Sequence, residues 1–327
     1  MVECAIIFNK NNDNFKSGEM ISGIIELTLS DEKNFRHIHV TIEGIGEVKW
    51  PSLTFSDSPM YSTFTNFENY FKEIIHIFDH NDALGKTEEF TQLNRGIHKF
   101  PFIYQLPQAL PSSFEGKFGY TRYTVTAVLD ILNDESITTI VRPFKIIIGH
   151  NIIRPYDSQN YPFRAELSTT FTYCLFPRPL CIVISIPHTE FIVGDDISVN
   201  VELVNRSYAV VSKIIVEFIQ IANYKSKIPK ENNKIDERTL TRVTGPKIGR
   251  KHSVKFTCNI KIPNLIPPTQ RQSCQIIEIY YKIQVRLDAR LLQIIRLQPS
   301  LTLPILVGIE SMDALNHEKE EDEGYTM

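Results

Sequence analysis

One stretch of this chain occurs twice. FKSGEMISGIIEL at residues 15–27 aligns without a gap with FIVGDDISVNVEL at residues 191–203. Seven pairs match in identity or character: Phe15/Phe191, Gly18/Gly194, Glu19/Asp195, Ile21/Ile197, Ser22/Ser198, Glu26/Glu202 and Leu27/Leu203. A fixed-offset echo of this kind marks a duplicated architecture. In each copy a glycine followed by an acidic residue reads as a turn, and the alternation behind it (Ile21, Gly23, Ile25, Leu27) reads as a strand with one buried face. Three fainter echoes follow in the same order: VTIEGIGEV (40–48) with IIVEFIQIA (214–222), QLPQALP (105–111) with KIPNLIP (261–267), and YTVTAVLD (123–130) with YKIQVRLD (281–288). A single match of strand pattern arises by chance, whereas an ordered series predicts two homologous domains.

The 327 residues are enough for two ordinary cores. Helical spacing of apolar residues is scarce, while Val, Ile, Thr, Phe and Tyr abound and turn clusters break the runs, so the predicted class is all-β. Short strands in domains of about 150 residues predict two tandem β-sandwiches of immunoglobulin-like type rather than a barrel or propeller. The predicted bounds are residues 1–153 for the first sandwich, 154–165 for a linker, 166–310 for the second sandwich and 311–327 for a tail. The linker falls in an Asn-, Pro- and Tyr-rich stretch without alternation, and the acidic block at 318–323 predicts a disordered tail.

A net charge of −3 gives no reason to expect a nucleic-acid partner. The opening MVECAIIFNK lacks the basic and apolar regions of a secretory signal, and apolar runs such as 146–148 and 181–186 are too short to span a bilayer. Cys4, Cys174, Cys181, Cys258 and Cys274 form no C-x-x-C pair. These features predict free thiols in a reducing cytoplasm, with the Asn205-Arg206-Ser207 sequon bare.

With these residues in hand, the chain resembles the α-arrestin (arrestin-domain-containing) family from Phe8 to about Ile309. The first half carries FKSGEMISGIIEL, the stretch at 96–116 ending LPSSFEG, and Arg122-Tyr123 opening a strand. The second carries FIVGDDISVNVELVNRS, IKIPNLIPPT, SCQIIEIYYKIQV (273–285) and the closing PILVG. The resemblance implies two arrestin-type sandwiches joined by a short hinge and no active site. It also implies an adaptor that recognises cytosolic segments of membrane proteins for endocytosis, sorting or ubiquitin-linked transport. A structural subunit of a retromer-type sorting coat is the alternative. Cytoplasmic residence with peripheral association at plasma membrane or endosomes follows from the same resemblance. The family's Pro-Pro-x-Tyr motif, which recruits ubiquitin ligases, is not matched: Pro267-Pro268 is followed by Thr269 and Gln270, and Tyr325 stands without prolines. Ligase recruitment is therefore expected only through a partner.

Among chemistry-bearing residues, His37 and His39 would share one face of a strand but lack further ligands at a recognisable spacing, and His76 and His80 would face together only on a helix. No nucleophile elbow, P-loop, dinucleotide fingerprint or H-E-x-x-H motif is present, so no catalytic residue, cofactor or metal is predicted. The aromatic-rich segment 60–74 joins two apparent strands and is long for a hairpin loop. By family analogy it offers Tyr61, Phe64, Phe67, Tyr70 and Phe71 as cargo contacts, and the alternative for the later residues is a strand packed inward. Basic residues gather at Lys10 and Lys16, and again along 224–251 as Lys225, Lys227, Lys230, Lys234, Arg238, Arg242, Lys247, Arg250 and Lys251. Acidic lipid headgroups or phosphorylated tails fit such stretches, and a solvated loop is the competing reading.

Overall fold

The structure is a computed structural model that describes residues 2–51, 63–79, 90–132, 137–147, 163–173, 176–271, 273–291 and 295–308. Its described elements are strands, and the chain divides into two units. The first gathers residues 1–148 together with 224–234 and 272–277; the second holds 149–223, 235–271 and 278–327.

In the first unit, a three-stranded sheet runs in the order β1 (Val2–Phe8), β3 (Met20–Leu29), β7 (Gly96–Gln105). The second layer runs β2 (Asn14–Phe15), β10 (Thr138–Ile146), β9 (Gly119–Ile131), β4 (Lys33–Pro51), β5 (Thr63–Asp79), with β6 (Thr91–Leu93) added to β4 and β8 (Phe114–Glu115) to β9. Alternate residues of β3, Ile21, Ile25 and Leu27, are fully buried, and so are Val40 and Ile42 of β4 and Val125 and Ala127 of β9. Ile21, Ile25, Val40, Ile42, Val125 and Ala127 form one apolar cluster with Phe8, Phe15, Phe102, Tyr123 and Phe144. The period-2 pattern thus places one face of each sheet in a shared core.

The second unit repeats the plan. One sheet runs β11 (Phe163–Tyr173), β12 (Phe176–Ile186), β14 (Asp196–Asn205), β17 (Ser253–Lys261). The other runs β13 (Glu190–Ile192), β20 (Ser300–Gly308), β18 (Ile277–Leu291), β15 (Val210–Ser226), β16 (Asn232–Gly245), with β19 (Ile295–Leu297) on β18. Of the predicted linker, 154–162 lies outside the described residues and 163–165 opens β11; the predicted tail also lies outside them.

The sequence repeat extends to individual hydrogen bonds. Gly18 and Gly194 both take positive φ, 75° and 91°. The Gly18 N–H donates to Pro107 O and the Gly194 N–H to Ile262 O. The acidic residue after each glycine closes the turn: Glu19 Oε2 accepts the Lys16 N–H at 2.7 Å, and Asp195 Oδ2 accepts the Ile192 N–H at 3.0 Å. The short strand entering each turn runs parallel to the last strand of its unit, Phe15 opposite Ile146 and Phe191 opposite Val307. The fainter echoes are joined as well. The Tyr123 hydroxyl donates to Pro111 O at 2.6 Å, and the Tyr281 hydroxyl donates to Pro267 O. In each unit the tyrosine that opens one repeated segment therefore anchors the proline that ends another.

Candidate docking surface

β5 carries the aromatic segment, and its cross-strand register with β4 determines where each ring goes. Phe64 lies opposite Trp50, is 5% exposed, and stacks on that indole with centroids 5.7 Å apart. Its ring supports the sheet and offers little surface to a partner. Phe67 is 58% exposed. A bulge between the Gly44 and Ile45 pairings makes Tyr70 an extra residue on β5, and both Tyr70 and Phe71 pack against the core. Phe71 stacks between Tyr104 and Tyr123 at 5.7 and 6.1 Å. Tyr61 lies outside the described residues.

Tyr70 also meets the segment 272–277 that joins this unit: its hydroxyl is 3.2 Å from Cys274 Sγ. Glu68 Oε2 accepts from the Gln275 N–H at 3.2 Å and from the Cys274 thiol at 3.5 Å. Burial first, then the neighbouring thiol, pushes the Tyr70 phenol up, and burial likewise raises Cys274. Burial pushes the Cys4 thiol up to about 11 and raises Cys258, so these thiols stay protonated at neutral pH.

The basic residues separate into distinct settings. Lys10 pairs with Glu19 at 2.6 Å and covers the Phe15 ring, and Lys16 belongs to the same turn. Lys225, Lys227, Lys230 and Lys234 belong to the first unit. There the Thr65 N–H donates to Ile228 O, and Lys227 and Ile228 both donate to Thr65 O. Arg238 and Arg242 lie on β16 in the second unit. The Arg242 guanidinium is 2.7 Å from Glu217 Oε1 and the Arg286 guanidinium 3.1 Å from Oε2, which leaves the Glu217 side chain 3% exposed beneath two arginines. Arg286 and Glu217 carry no signal along the chain, because only the β15, β16 and β18 neighbourhood brings them together. Lys247, Arg250 and Lys251 follow β16 on an exposed connection, where Lys251 lies 5.5 Å from the Tyr208 ring centre.

His39 and His76 are cross-strand partners with ring centroids 5.9 Å apart, and among the described residues no three His, Cys, Asp or Glu side chains group to hold a metal. Asn205 of the sequon is buried: its amide donates to Ala209 O and Gly249 O, and its Oδ1 accepts from the Ser207 N–H and hydroxyl. The side chain that a glycan would need is committed to the fold. Among the described residues, no helix is long and apolar enough to cross a membrane.

The N-terminal domain of the family described as arrestin (or S-antigen) matches residues 4–152, and its C-terminal domain matches residues 177–312. The chain belongs to the arrestin family. Within that family this arrestin is similar to the arrestin domain-containing proteins, the α-arrestins. It is 25% identical to arrestin domain-containing protein 17 of Caenorhabditis elegans over 311 residues, covering 93% of this chain and 69% of the nematode protein. It is 25% identical to human arrestin domain-containing protein 1 over 295 residues, 90% of this chain and 61% of that one. It is 22% identical to human arrestin domain-containing protein 5 over 322 residues, 94% and 88% of the two chains. The arrestin thus spans about three fifths of the length of the domain-containing protein 1 relatives.

Proposed function

We propose that this arrestin is a non-catalytic, cytoplasmic adaptor that binds cytosolic segments of membrane proteins and directs their endocytosis, sorting or ubiquitin-linked transport. The observation that carries the reading is the ordered match of both arrestin domains along nearly the whole chain. Domain bounds of 1–153 and 166–310 are part of the same proposal. Among the predicted aromatic contacts, the exposure of Phe67 supports it most as a ring that meets a partner, since Phe64 is buried and Tyr70 and Phe71 are partly buried against the core. Recruitment of a ligase through a partner is supported by the setting of the Pro267-Pro268 pair: Pro267 O accepts the Tyr281 hydroxyl and Pro268 is buried, so this pair cannot lie open as a polyproline II ligand.

Proximity labelling and affinity capture from native cells test the proposal. Membrane proteins and endocytic machinery are the expected catch, and recovery of soluble partners alone overturns it. A stable high-mass complex on size-exclusion chromatography would instead assign the protein to a sorting coat.

A further inference from the structure

We propose that the end of the first unit built around Ile228 docks onto an anionic lipid bilayer, with Ile228, Pro229 and Phe67 entering the headgroup region and the surrounding lysines meeting lipid phosphates. Ile228 is 64% exposed, and it is not displayed by a loose loop. Three main-chain hydrogen bonds of 2.8–3.2 Å tie Lys227 and Ile228 to Thr65. The Asn66 amide donates to Lys225 O, and the Ser226 hydroxyl reaches Lys230 O and Asn232 O. A β-branched apolar side chain pinned in water by its own backbone has no packing role within the described unit. Phe67, a second exposed apolar side chain, stands two residues along β5 from the same Thr65.

The charge around this tip is carried by lysines. Lys225, Lys227, Lys230 and Lys234 flank it along the chain, and Lys117 and Lys234 lie 5.2 and 5.3 Å from the centre of the Phe118 ring. The Lys49 N–H donates to Phe118 O, so Lys49 belongs to the same end. Beneath them a bed of Trp50, Phe64, Phe118 and Tyr224 keeps the surface rigid. Of the nearby carboxylates, Glu115 is held by Arg122, Glu47 accepts the Tyr120 hydroxyl and Glu68 accepts from Gln275, while Glu231 lies on the segment itself.

The residue types favour a bilayer over a phosphorylated peptide. Planar, bidentate reading of a fixed phosphate favours arginine, and Arg122, the arginine among the described residues of this neighbourhood, is already forked onto Glu115 and laid over Tyr120. Lysines are mobile point charges suited to headgroups that diffuse laterally, and a projecting apolar tip gains free energy only where it finds an apolar phase. The inference deepens the adaptor reading, from which it takes its biological sense, by naming what holds the protein at the membrane of its cargo; vesicle binding itself requires no cargo.

The test is sedimentation of the purified full chain with vesicles of phosphatidylcholine alone and of phosphatidylcholine containing phosphatidylserine. Binding is expected on the anionic vesicles and to weaken with added salt. The double variant Lys227→Glu, Lys230→Glu should lower the bound fraction at least about ten-fold, and Ile228→Asp about five-fold. The charge-reversal control Lys255→Glu, on β17 of the second unit, should bind as the unaltered protein does, and all variants should melt as it does. Equal binding to neutral vesicles, no binding to anionic ones, or equal loss with Lys255→Glu overturns the proposal. So does preference for a phosphorylated peptide that is sensitive to the lysine reversals but not to Ile228→Asp. Loss of cargo capture with intact vesicle binding, or the reverse, separates failure of the adaptor reading from failure of this one.

Discussion

At the scale of single residues, the two units use the same polar anchor. Tyr123 and Tyr281 are buried, and each hydroxyl serves one proline carbonyl. Replacing either by Phe leaves a carbonyl without its donor, and each change should cost about 1 kcal/mol in denaturant unfolding. The hydroxyl of Tyr281 also accepts from the Gln220 amide, so its loss should be the costlier of the two. Glu217 is a different case, a carboxylate covered by two guanidiniums that themselves reach water. Glu217→Ala strands two cations that solvent can partly rescue, and a loss of about 1–3 kcal/mol is expected, whereas Arg242→Ala leaves Arg286 in place and should cost less. Asp288 adds a pH signature. Burial opposes its charge, but Arg296 at 2.9 Å outweighs burial and the carboxyl is lowered below its ordinary value. A depressed folded-state pKa stabilises above the unfolded value and loses that contribution as pH falls through the folded one. The stability gap between the unaltered protein and Arg296→Ala, followed by urea unfolding, should therefore stay level near neutrality and close as pH drops below about 4.

At the scale of elements, the turn and strand of the repeat were legible because each signal is local. Glycine at positive φ, an acidic residue catching the N–H three positions back, and strict alternation all lie within a dozen consecutive residues. A Cβ added at Gly18 would come within 2.5 Å of Gln108 Oε1, and one at Gly194 within 2.6 Å of Asn264 Oδ1. Combined with the left-handed backbone, Gly18→Ala and Gly194→Ala should each destabilise by about 1–2 kcal/mol in thermal or denaturant melts, and by similar amounts. β5 was harder to read. An aromatic-rich run without clean alternation suggests a loop, but the strand carries a bulge that places Tyr70 and Phe71 both inward and so breaks the period on which the reading depends. Phe64 was opaque for another reason: its partner Trp50 lies at the far end of β4, and only the register brings the rings together. Sheet edges also carry information that sequence alone leaves unassigned. Among the described residues β7 is the edge of its sheet, and there Pro101 lacks an N–H that pairing with another chain would use.

At the scale of the whole molecule, the basic residues show how far apart chain order and spatial order can lie. Along the sequence Lys225 to Lys251 is one cluster; in the structure Lys225, Lys227, Lys230 and Lys234 group with the first unit, while Arg238, Arg242, Lys247, Arg250 and Lys251 stay with the second. Charge reversals in the two sets should accordingly be separable, with vesicle binding following the first set alone in the sedimentation assay described above. The sequence by itself determined that this protein is all-β, duplicated and arrestin-like, since those properties rest on local periodicity, turn chemistry and ordered motifs that a linear chain displays. Only the tertiary structure decided which aromatic ring faces solvent, that Ile228 is tied to Thr65, and that Glu217 lies beneath Arg242 and Arg286. The physical reason is that each of these depends on cross-strand register and on packing between residues far apart in the chain, where one bulge or one shifted pairing changes the face a side chain presents.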